Sequence, residues 1–264
     1  MTVPRCLTIA GSDSGGGAGI QADLKAFAAA GCFGMSAIVA LTAQNTVVVT
    51  AVHETPPEFV LAELDAVFSD IGVDAAKTGM LFSRPIIETV ADFLAEHPVP
   101  LVVDPVMIAT SGARLLQPEA VAALVGRLLP LATVVTPNLD EAIVLAGRPG
   151  PRRELAERIH ALGPAAVIVT GGHGEEPVDH LFDGSEHFEI PAPRYAKRST
   201  HGAGCTHSAT LAALLARGLP LRQAAEEAGR IASEAVANGL EWLGAGEGPV
   251  DVFGLETSDR MKTR

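Results

Sequence analysis

The chain has 264 residues, of which 48% are hydrophobic and 19% charged, so it can bury a sizeable core and is neither disordered nor fibrous. Nineteen basic against 31 acidic residues give a net charge of −12, which disfavours binding to nucleic acid or to an anionic membrane. Its 3 cysteines lie far apart in no metal-binding spacing, which argues against a zinc site or a disulfide framework and fits a reducing compartment.

Residues 26–52 contain no charged side chain, which superficially suggests a membrane span. Gly31, Gly34 and a polar run around Gln44 interrupt this stretch, so a helix end followed by a buried strand is the better interpretation. The first residues also lack the apolar region of a signal peptide. We therefore expect a soluble, cytoplasmic protein.

Short apolar runs alternate with helical patterns along most of the chain. Buried strands are predicted at residues 6–10, 35–41, 75–78, 101–103, 133–135 and 166–169, with a further strand, at an edge, at 47–53. Helices are predicted at residues 20–30, 58–69, 85–96, 118–128 and 139–146. Residues 179–190 predict two short strands around a turn at 183–184, and helices follow at 205–217 and 221–240.

This alternation of continuous apolar strands with helices is typical of a mostly parallel sheet covered by helices on both faces, an α/β fold. The sequence shows no repeat and no linker, so we predict a single domain over residues 1–264. Ligands of such open sheets bind beyond the carboxyl ends of the strands. Four loops at these positions are therefore candidates for the ligand site.

Two of the loops follow the first two strands. Residues 11–19, Gly-Ser-Asp-Ser-Gly-Gly-Gly-Ala-Gly, suit either a close backbone approach to a ligand or an ordinary flexible turn. Residues 17–22 match a loose dinucleotide-binding pattern, but the acid expected about 20 residues later is missing. In residues 42–46, Gln44 and Asn45 carry donors and acceptors that fit the edge of a heteroaromatic ring, or else a turn.

Two acids follow later strands. Asp104 comes directly after the strand at 101–103, and Glu141 follows the strand at 133–135. Carboxylates at the ligand edge suit Mg²⁺ that is also bound by nucleotide phosphates. Glu141 fits equally well a capping box with Asn138, which would be a structural role.

The fourth loop, residues 199–207, precedes an alanine-rich helix. The amides of residues 202–204 can form an anion nest at the helix N-terminus, where they would stabilise the charge of a transferring phosphoryl group. The helix end also predicts a lowered pKa, and so a thiolate, for Cys205, the alternative being a small buried core cysteine. A hydrolase pair of Cys205 with His201 or His207 matches no known local spacing.

Taken together, these motifs resemble the bacterial hydroxymethylpyrimidine/phosphomethylpyrimidine kinases of the ribokinase-like superfamily. The matching blocks lie at residues 10–25, 41–46, 77–81, 103–107, 136–139, 171–173 and 200–206. The resemblance implies a three-layer α/β/α fold, a homodimer and a role in thiamine biosynthesis. It implies that ATP phosphorylates the hydroxymethyl oxygen of 4-amino-5-hydroxymethyl-2-methylpyrimidine, and that a second transfer converts the monophosphate to the diphosphate.

The resemblance also implies roles for individual residues. The pyrimidine would contact Gln44, in a pocket lined by Gly11, Ala18, Asp23 and Met80. Mg²⁺ and its waters would be held near the phosphates of ATP by Asp104 and Glu141. The anion hole would consist of the amides of Gly202, Ala203 and Gly204, and Cys205 would stand where related sugar kinases place an aspartate base.

The sequence departs from the family at three positions. Thr170 stands where the family usually has a lysine before Gly-Gly-His, which predicts weaker binding of nucleotide phosphates unless another basic residue compensates. Ala203 replaces a threonine and should leave the amide nest intact, while His207 replaces a leucine on the following helix. Two other interpretations remain: a pyridoxal or pyridoxine kinase, and a non-catalytic pyrimidine- or nucleotide-binding protein on the same fold.

Overall fold

The computed structural model describes residues 2–108, 115–117, 119–171, 177–191, 193, 195, 197 and 199–255. Its strands are β1 (Arg5–Asp13), β2 (Phe33–Gln44), β3 (Val49–Glu54), β4 (Ala75–Thr78), β5 (Leu101–Val103), β6 (Val134–Val135), β7 (Val167–Val169), β8 (Val178–Phe182) and β9 (His187–Pro191). They form one sheet in the order β3-β2-β1-β4-β5-β6-β7-β8-β9. From β2 to β7 all neighbours are parallel, whereas β3, β8 and β9 pair antiparallel.

Helices cover both faces of this sheet. They are α1 (Gly19–Ala29), α2 (Pro57–Ala66), α3 (Arg84–Glu96), α4 (Ala120–Ala123), α5 (Leu139–Ala146), α6 (Arg152–His160), α7 (Ala203–Ala216) and α8 (Leu221–Ala237). On one face Cys6 belongs to a buried cluster with Phe27 of α1 and with residues of α7 and α8, and on the other face Leu7 belongs to a second cluster that includes Ile86 of α3 and Leu155 of α6. The predicted three-layer α/β/α fold is therefore confirmed.

The predicted strands are all present, and the predicted edge strand is β3. The helix α6, which follows the glycine- and proline-rich residues 147–151, was not predicted. The helix predicted at 118–128 is α-helical only at Ala120–Ala123 and continues as a π-helical turn, Leu124–Leu128, while Pro118 lies outside the described residues. The helix predicted to end at 240 ends at Ala237.

The carboxyl ends of the parallel strands meet at one edge of the sheet, which we call the ligand edge. Asp13, Gln44 and Asp104 lie at or directly after the ends of β1, β2 and β5. The N-terminus of α7 reaches the same edge, because its Ser208 Oγ donates a 2.9 Å hydrogen bond to Asp104 Oδ2. Among the described helices, none is long and apolar enough to cross a membrane.

Candidate active site

The glycine-rich loop after β1 is organised by the buried carboxylate of Asp13. Its Oδ1 accepts a hydrogen bond from the Gly15 amide at 2.8 Å, and its Oδ2 accepts from the amides of Gly17 at 3.1 Å and Ala18 at 2.9 Å. Burial alone would raise the pKa of Asp13, but the hydrogen bonds from His201 and from these amides lower it. Asp13 is therefore an ionised acceptor that holds the loop in one conformation.

Gln44 lies half-buried beside this loop. Its backbone N–H donates to Ser14 Oγ at 2.9 Å, and the Ser14 hydroxyl donates to the backbone oxygen of Gln44 at 2.8 Å. Gln44 Oε1 lies 3.2 Å from Thr42 Oγ1, and Gln44 Nε2 lies 3.4 Å from His201 Nε2. Gln44 and His201 line a cavity of about 230 Å³ together with Thr46 and with residues 246–247 of the C-terminal segment.

Asn45, by contrast, is used in the turn between β2 and β3. Its Oδ1 accepts hydrogen bonds from the amides of Val47 at 2.9 Å and Val48 at 3.0 Å. The turn interpretation of this residue is therefore correct, and Gln44 rather than Asn45 is available to a ligand.

Two other predicted pocket residues, Gly11 and Met80, lie against each other. The Gly11 amide donates to Met80 O at 3.2 Å, and a Cβ at Gly11 would lie 2.2 Å from Met80 Cε. Gly19 has a φ of +57°, and a Cβ there would lie 2.3 Å from Gly11 O. These glycines let the loop close tightly over the ends of β1 and β4.

Asp23 occupies a different position from the other predicted pocket residues, because its side chain is fully buried beneath the loop. Its carboxylate lies 2.9 and 3.0 Å from Lys77 Nζ and accepts a 2.6 Å hydrogen bond from Thr8 Oγ1. Lys77 Nζ also lies 3.9 Å from Asp104 Oδ2. Burial raises the pKa of Asp23 against the effects of Lys77 and Thr8, and the charge of Asp23 raises the pKa of Lys77 despite the opposite effect of burial. The direct contact of the carboxylate with Lys77 Nζ favours the ionised pair.

The expected thiolate at Cys205 is not what the structure supports. Burial raises the pKa of Cys205 to about 12. The charge of Lys77 lowers this pKa, but the nearby acids Asp23 and Asp104 raise it. In the free protein Cys205 is therefore a protonated thiol at neutral pH. The helix-end argument was wrong because it left out desolvation and these two carboxylates.

The predicted anion nest lies at the first turn of α7. Gly202 has a left-handed φ of +84°, and a Cβ there would lie 1.8 Å from Gly17 O, so only glycine fits. The amide of Ala203 donates to Thr200 O at 3.0 Å and is thus occupied. A Cβ at Gly204, however, would meet no atom within 4 Å among the described residues. The first turn therefore opens onto free space with the amide of Gly204 at its rim.

Asp104 and Glu141 lie close enough to interact electrostatically. Glu141 forms the complete capping box of α5 with Asn138, and its Oε1 also accepts a 3.3 Å hydrogen bond from the Met107 amide. Burial and the charge of Asp104 raise the pKa of Glu141 to about 8. The capping role of Glu141 is thus confirmed. A cation beside Asp104 and Glu141 would also relieve the repulsion between their carboxylates.

Two carboxylates are a suitable protein contribution to a Mg²⁺ site, because Mg²⁺ takes its remaining ligands from phosphates and water. In the ranges that the structure describes, no cluster of three or more His, Cys, Asp or Glu side chains could hold a metal ion by itself. The residues present therefore fit a metal ion that arrives with a nucleotide.

Thr170 follows β7 at the ligand edge. Its amide donates to Pro137 O at 2.9 Å, and its hydroxyl lies 3.5 Å from the same oxygen. It carries no positive charge, so the expected weakness towards phosphates stays a prediction. Residues 172–173 of the Gly-Gly-His motif lie outside the described residues.

Of the two histidines considered as partners of Cys205, His201 is hydrogen-bonded to a carboxylate, whereas His207 only lies near one and neither of its ring nitrogens has a hydrogen-bond partner among the described residues. His201 Nε2–H donates to Asp13 Oδ2 at 2.9 Å, and His207 lies on α7 with its Nε2 3.8 Å from Asp179 Oδ2. The hydrolase pair with Cys205 is therefore not supported.

Sequence reasoning missed the roles of Asp13, Lys77 and His201. A signal existed for Lys77, because a lysine inside a strand that is buried on both faces must pair with an acid. For Asp13 and His201, which lie 188 residues apart, the chain order gave no such signal.

Known proteins are similar to this chain over most of its length. The phosphomethylpyrimidine kinase family profile matches residues 13–251. The chain is 52% identical to a hydroxymethylpyrimidine/phosphomethylpyrimidine kinase of Rhizobium meliloti (strain 1021), over 94% of this chain and 96% of the relative. It is 49% identical to the thiamine biosynthesis bifunctional protein ThiED of Geobacter sulfurreducens, over 93% of this chain and 51% of that protein.

Among solved structures, an ADP complex of Bacillus subtilis pyridoxal kinase is similar, with a TM-score of 0.89 and 38% sequence identity. The match covers 97% of this chain and 100% of that one. The fold is therefore shared with nucleotide-binding vitamin kinases. The extent of the profile and the identity to the relatives show that this chain belongs to the phosphomethylpyrimidine kinase family.

Proposed function

We propose that the chain is an ATP-dependent kinase of 4-amino-5-hydroxymethyl-2-methylpyrimidine and of its monophosphate, acting in thiamine biosynthesis. Membership of the family makes the chain a phosphotransferase. The observation that carries the proposal is the open first turn of α7 at Gly204, next to Cys205 and linked through Ser208 to Asp104. A phosphoryl group placed there would meet backbone N–H groups at a helix N-terminus.

Phosphoryl transfer depends mainly on positioning and on neutralising charge. The thiolate form of Cys205, a minor species at neutral pH in the free protein, would orient the hydroxymethyl oxygen and take its proton as the bond from this oxygen to phosphorus forms and ADP leaves. Lys77 supports this role, because its ammonium group lowers the pKa of Cys205 against the effect of burial. Asp23 would act indirectly, by holding Lys77 in place rather than by touching the ring.

Asp104 and Glu141 would hold Mg²⁺, which supplies a positive charge against the phosphate oxygens. Thr170, at the end of β7, would lie beside the nucleotide. With a net charge of −12, the protein would then neutralise ATP mainly through the metal ion and backbone amides. Gln44 would bind the edge of the pyrimidine, in a pocket completed by Gly11, Ala18 and Met80.

A direct test follows the phosphorus of ATP by NMR in the presence of the pyrimidine, with Mg²⁺ and with excess chelator. We expect ADP and a phosphorylated pyrimidine only when Mg²⁺ is present. ATP that stays intact with both Mg²⁺ and the pyrimidine present would contradict the proposal and would favour a non-catalytic binding protein.

A second candidate is a pyridoxal kinase, since pyridoxal also carries a hydroxymethyl group on an aromatic ring. The similarity to the Bacillus subtilis pyridoxal kinase favours it. The presence of Gln44 and of the whole loop at residues 11–19 favours the pyrimidine. Turnover of pyridoxal without turnover of the pyrimidine would decide for this candidate.

We also propose that the chain folds as one domain and forms a homodimer. The dimer is supported by three exposed apolar side chains near the outer edge of the sheet, which are 42–56% exposed: Leu41, Val47 and Val48. Light scattering after size exclusion should give twice the mass of 27.2 kDa. A monomer at micromolar concentration would contradict this part of the proposal.

A further inference from the structure

The Gln44 amide has two polar neighbours that decide which way it points. In the structure Gln44 Oε1 lies 3.2 Å from Thr42 Oγ1, and Gln44 Nε2 lies 3.4 Å from His201 Nε2. The oxygen and nitrogen of an amide have the same shape, so their orientation follows from the donors and acceptors around them.

His201 can only donate at this position. Its Nε2 lies 2.9 Å from Asp13 Oδ2, and an ionised carboxylate accepts hydrogen bonds but offers none. The proton of the imidazole therefore lies on Nε2. The Gln44 N–H that is directed at His201 therefore faces another N–H. Hydrogen bonding favours the amide turned over, with its oxygen on this side.

Thr42 leads to the same orientation from the other side. Its hydroxyl hydrogen is donated to Ser12 O at 2.9 Å, and a carbonyl oxygen can only accept. Thr42 Oγ1 therefore presents a lone pair to Gln44 and requires an N–H there. Both neighbours therefore favour the turned-over amide, with the Gln44 nitrogen towards Thr42 and its oxygen towards His201.

The residues that impose this orientation are themselves held in place. A Cβ at Gly17 would lie 2.2 Å from His201 Cδ2, so the imidazole packs directly on the glycine-rich loop. The backbone of His201 donates to Gly248 O at 3.2 Å and accepts from the Val250 amide at 3.1 Å. The imidazole is thus fixed before any ligand binds.

We propose that Asp13 and His201 are positioning residues that, with Thr42, orient the Gln44 amide so that the enzyme selects a ring with an amino group beside a ring nitrogen. The free lone pair of Gln44 accepts from the amino group, and its free N–H donates to the ring nitrogen. A ring with an oxo group beside an N–H presents the opposite pattern and is rejected. This inference rests on the proposed contact between Gln44 and the substrate ring.

The test compares two rings, 4-amino- and 4-oxo-5-hydroxymethyl-2-methylpyrimidine, as substrates for ATP and Mg²⁺-dependent phosphorylation. A matched donor–acceptor pair on a base edge discriminates by roughly tenfold to a hundredfold. We expect the ratio of kcat/KM between amino and oxo rings to fall by about this factor in His201→Asn and in Thr42→Val, mainly through KM. Asp13→Asn should change the ratio in the same direction.

The matched control is His187→Phe, because His187 also contacts a carboxylate, Glu157 at 3.0 Å, on β9 and away from the ligand edge. It should leave both rates unchanged. A merely structural role of His201 would lower turnover of both rings equally. An unchanged ratio in folded His201→Asn and Thr42→Val would overturn the inference while leaving the kinase function intact. No turnover of the amino ring by the wild-type chain would instead overturn the proposed function.

Discussion

Gly204→Ala separates the catalytic importance of the first turn of α7 from its structural importance. A Cβ at Gly204 meets no atom within 4 Å of the described structure, and no positive φ is required there. Alanine is also the better helix former, so the free energy of unfolding should stay the same or rise by up to about 1 kcal/mol.

Activity should change in the opposite direction. The added methyl group occupies the space over the amides, where we place the phosphoryl group. Displacing a reacting group by about 1 Å, or losing one donor to developing charge, costs on the order of a hundredfold in rate. We therefore expect kcat/KM to fall about a hundredfold, which corresponds to about 2.7 kcal/mol of transition-state stabilisation.

The assay pairs steady-state phosphorylation of the pyrimidine with urea unfolding of the same preparations. Gly126→Ala is the matched control, because a Cβ there also meets no atom within 4 Å and the residue lies on the π-helical turn after α4. It should leave kcat/KM unchanged. Full activity of Gly204→Ala would place the phosphoryl group elsewhere, and a large loss of stability would mean that the residue serves the fold.

Four further predictions follow from the same geometry. Gly202→Ala should unfold at clearly lower temperature in a thermal melt, because its Cβ would lie 1.8 Å from Gly17 O; an unchanged melt would contradict the left-handed conformation. Gln44→Ala should weaken pyrimidine binding in calorimetry far more than nucleotide binding, and equal affinity would remove Gln44 from the pocket. Cys205→Ser should lower kcat while leaving nucleotide binding unchanged, and wild-type turnover would reduce Cys205 to a packing role. Lys77→Met should cost about 3–5 kcal/mol in urea unfolding, because it leaves the buried Asp23 carboxylate unpaired, whereas a double variant with Asp23→Leu should recover stability but not kcat.

The raised pKa of Cys205 also has a consequence for its reactivity. A shift of the thiol pKa from 9.0 to about 12 lowers the thiolate fraction at neutral pH by about a thousandfold. Because the folded-state pKa is raised, this group does not affect stability below pH about 9 and destabilises the fold above it. Mass spectrometry after iodoacetamide treatment at pH 8 should find Cys205 almost unmodified in the folded protein, and rapid modification would refute the raised pKa.

Much of the fold followed from the sequence, because strands buried on both faces leave continuous apolar runs that glycine-rich turns separate. The ligand edge followed from the same pattern, since parallel strands end at one side of the sheet. The helix α6 was missed, because its apolar residues Leu155, Ala156 and Ile159 form only a short stripe after a turn-rich segment.

Predictions about the chemistry of single side chains were less secure, because they depend on contacts between distant parts of the chain. The pKa of Cys205 depends on burial and on the charges of Lys77, Asp23 and Asp104, which come from three other parts of the chain. The hydrogen bond between Asp13 and His201 joins residues 188 positions apart. The residues near Cys205 in the sequence predict the helix end, but they do not reveal that Asp23 and Asp104 lie beside the thiol.

The measurement that tests the central claim most directly is a comparison of kcat/KM for the hydroxymethylpyrimidine and for pyridoxal, with ATP and Mg²⁺ and with products identified by mass. We predict that the pyrimidine is the better substrate and that its monophosphate and then its diphosphate accumulate as ATP is consumed. Phosphorylation of pyridoxal alone would contradict the account.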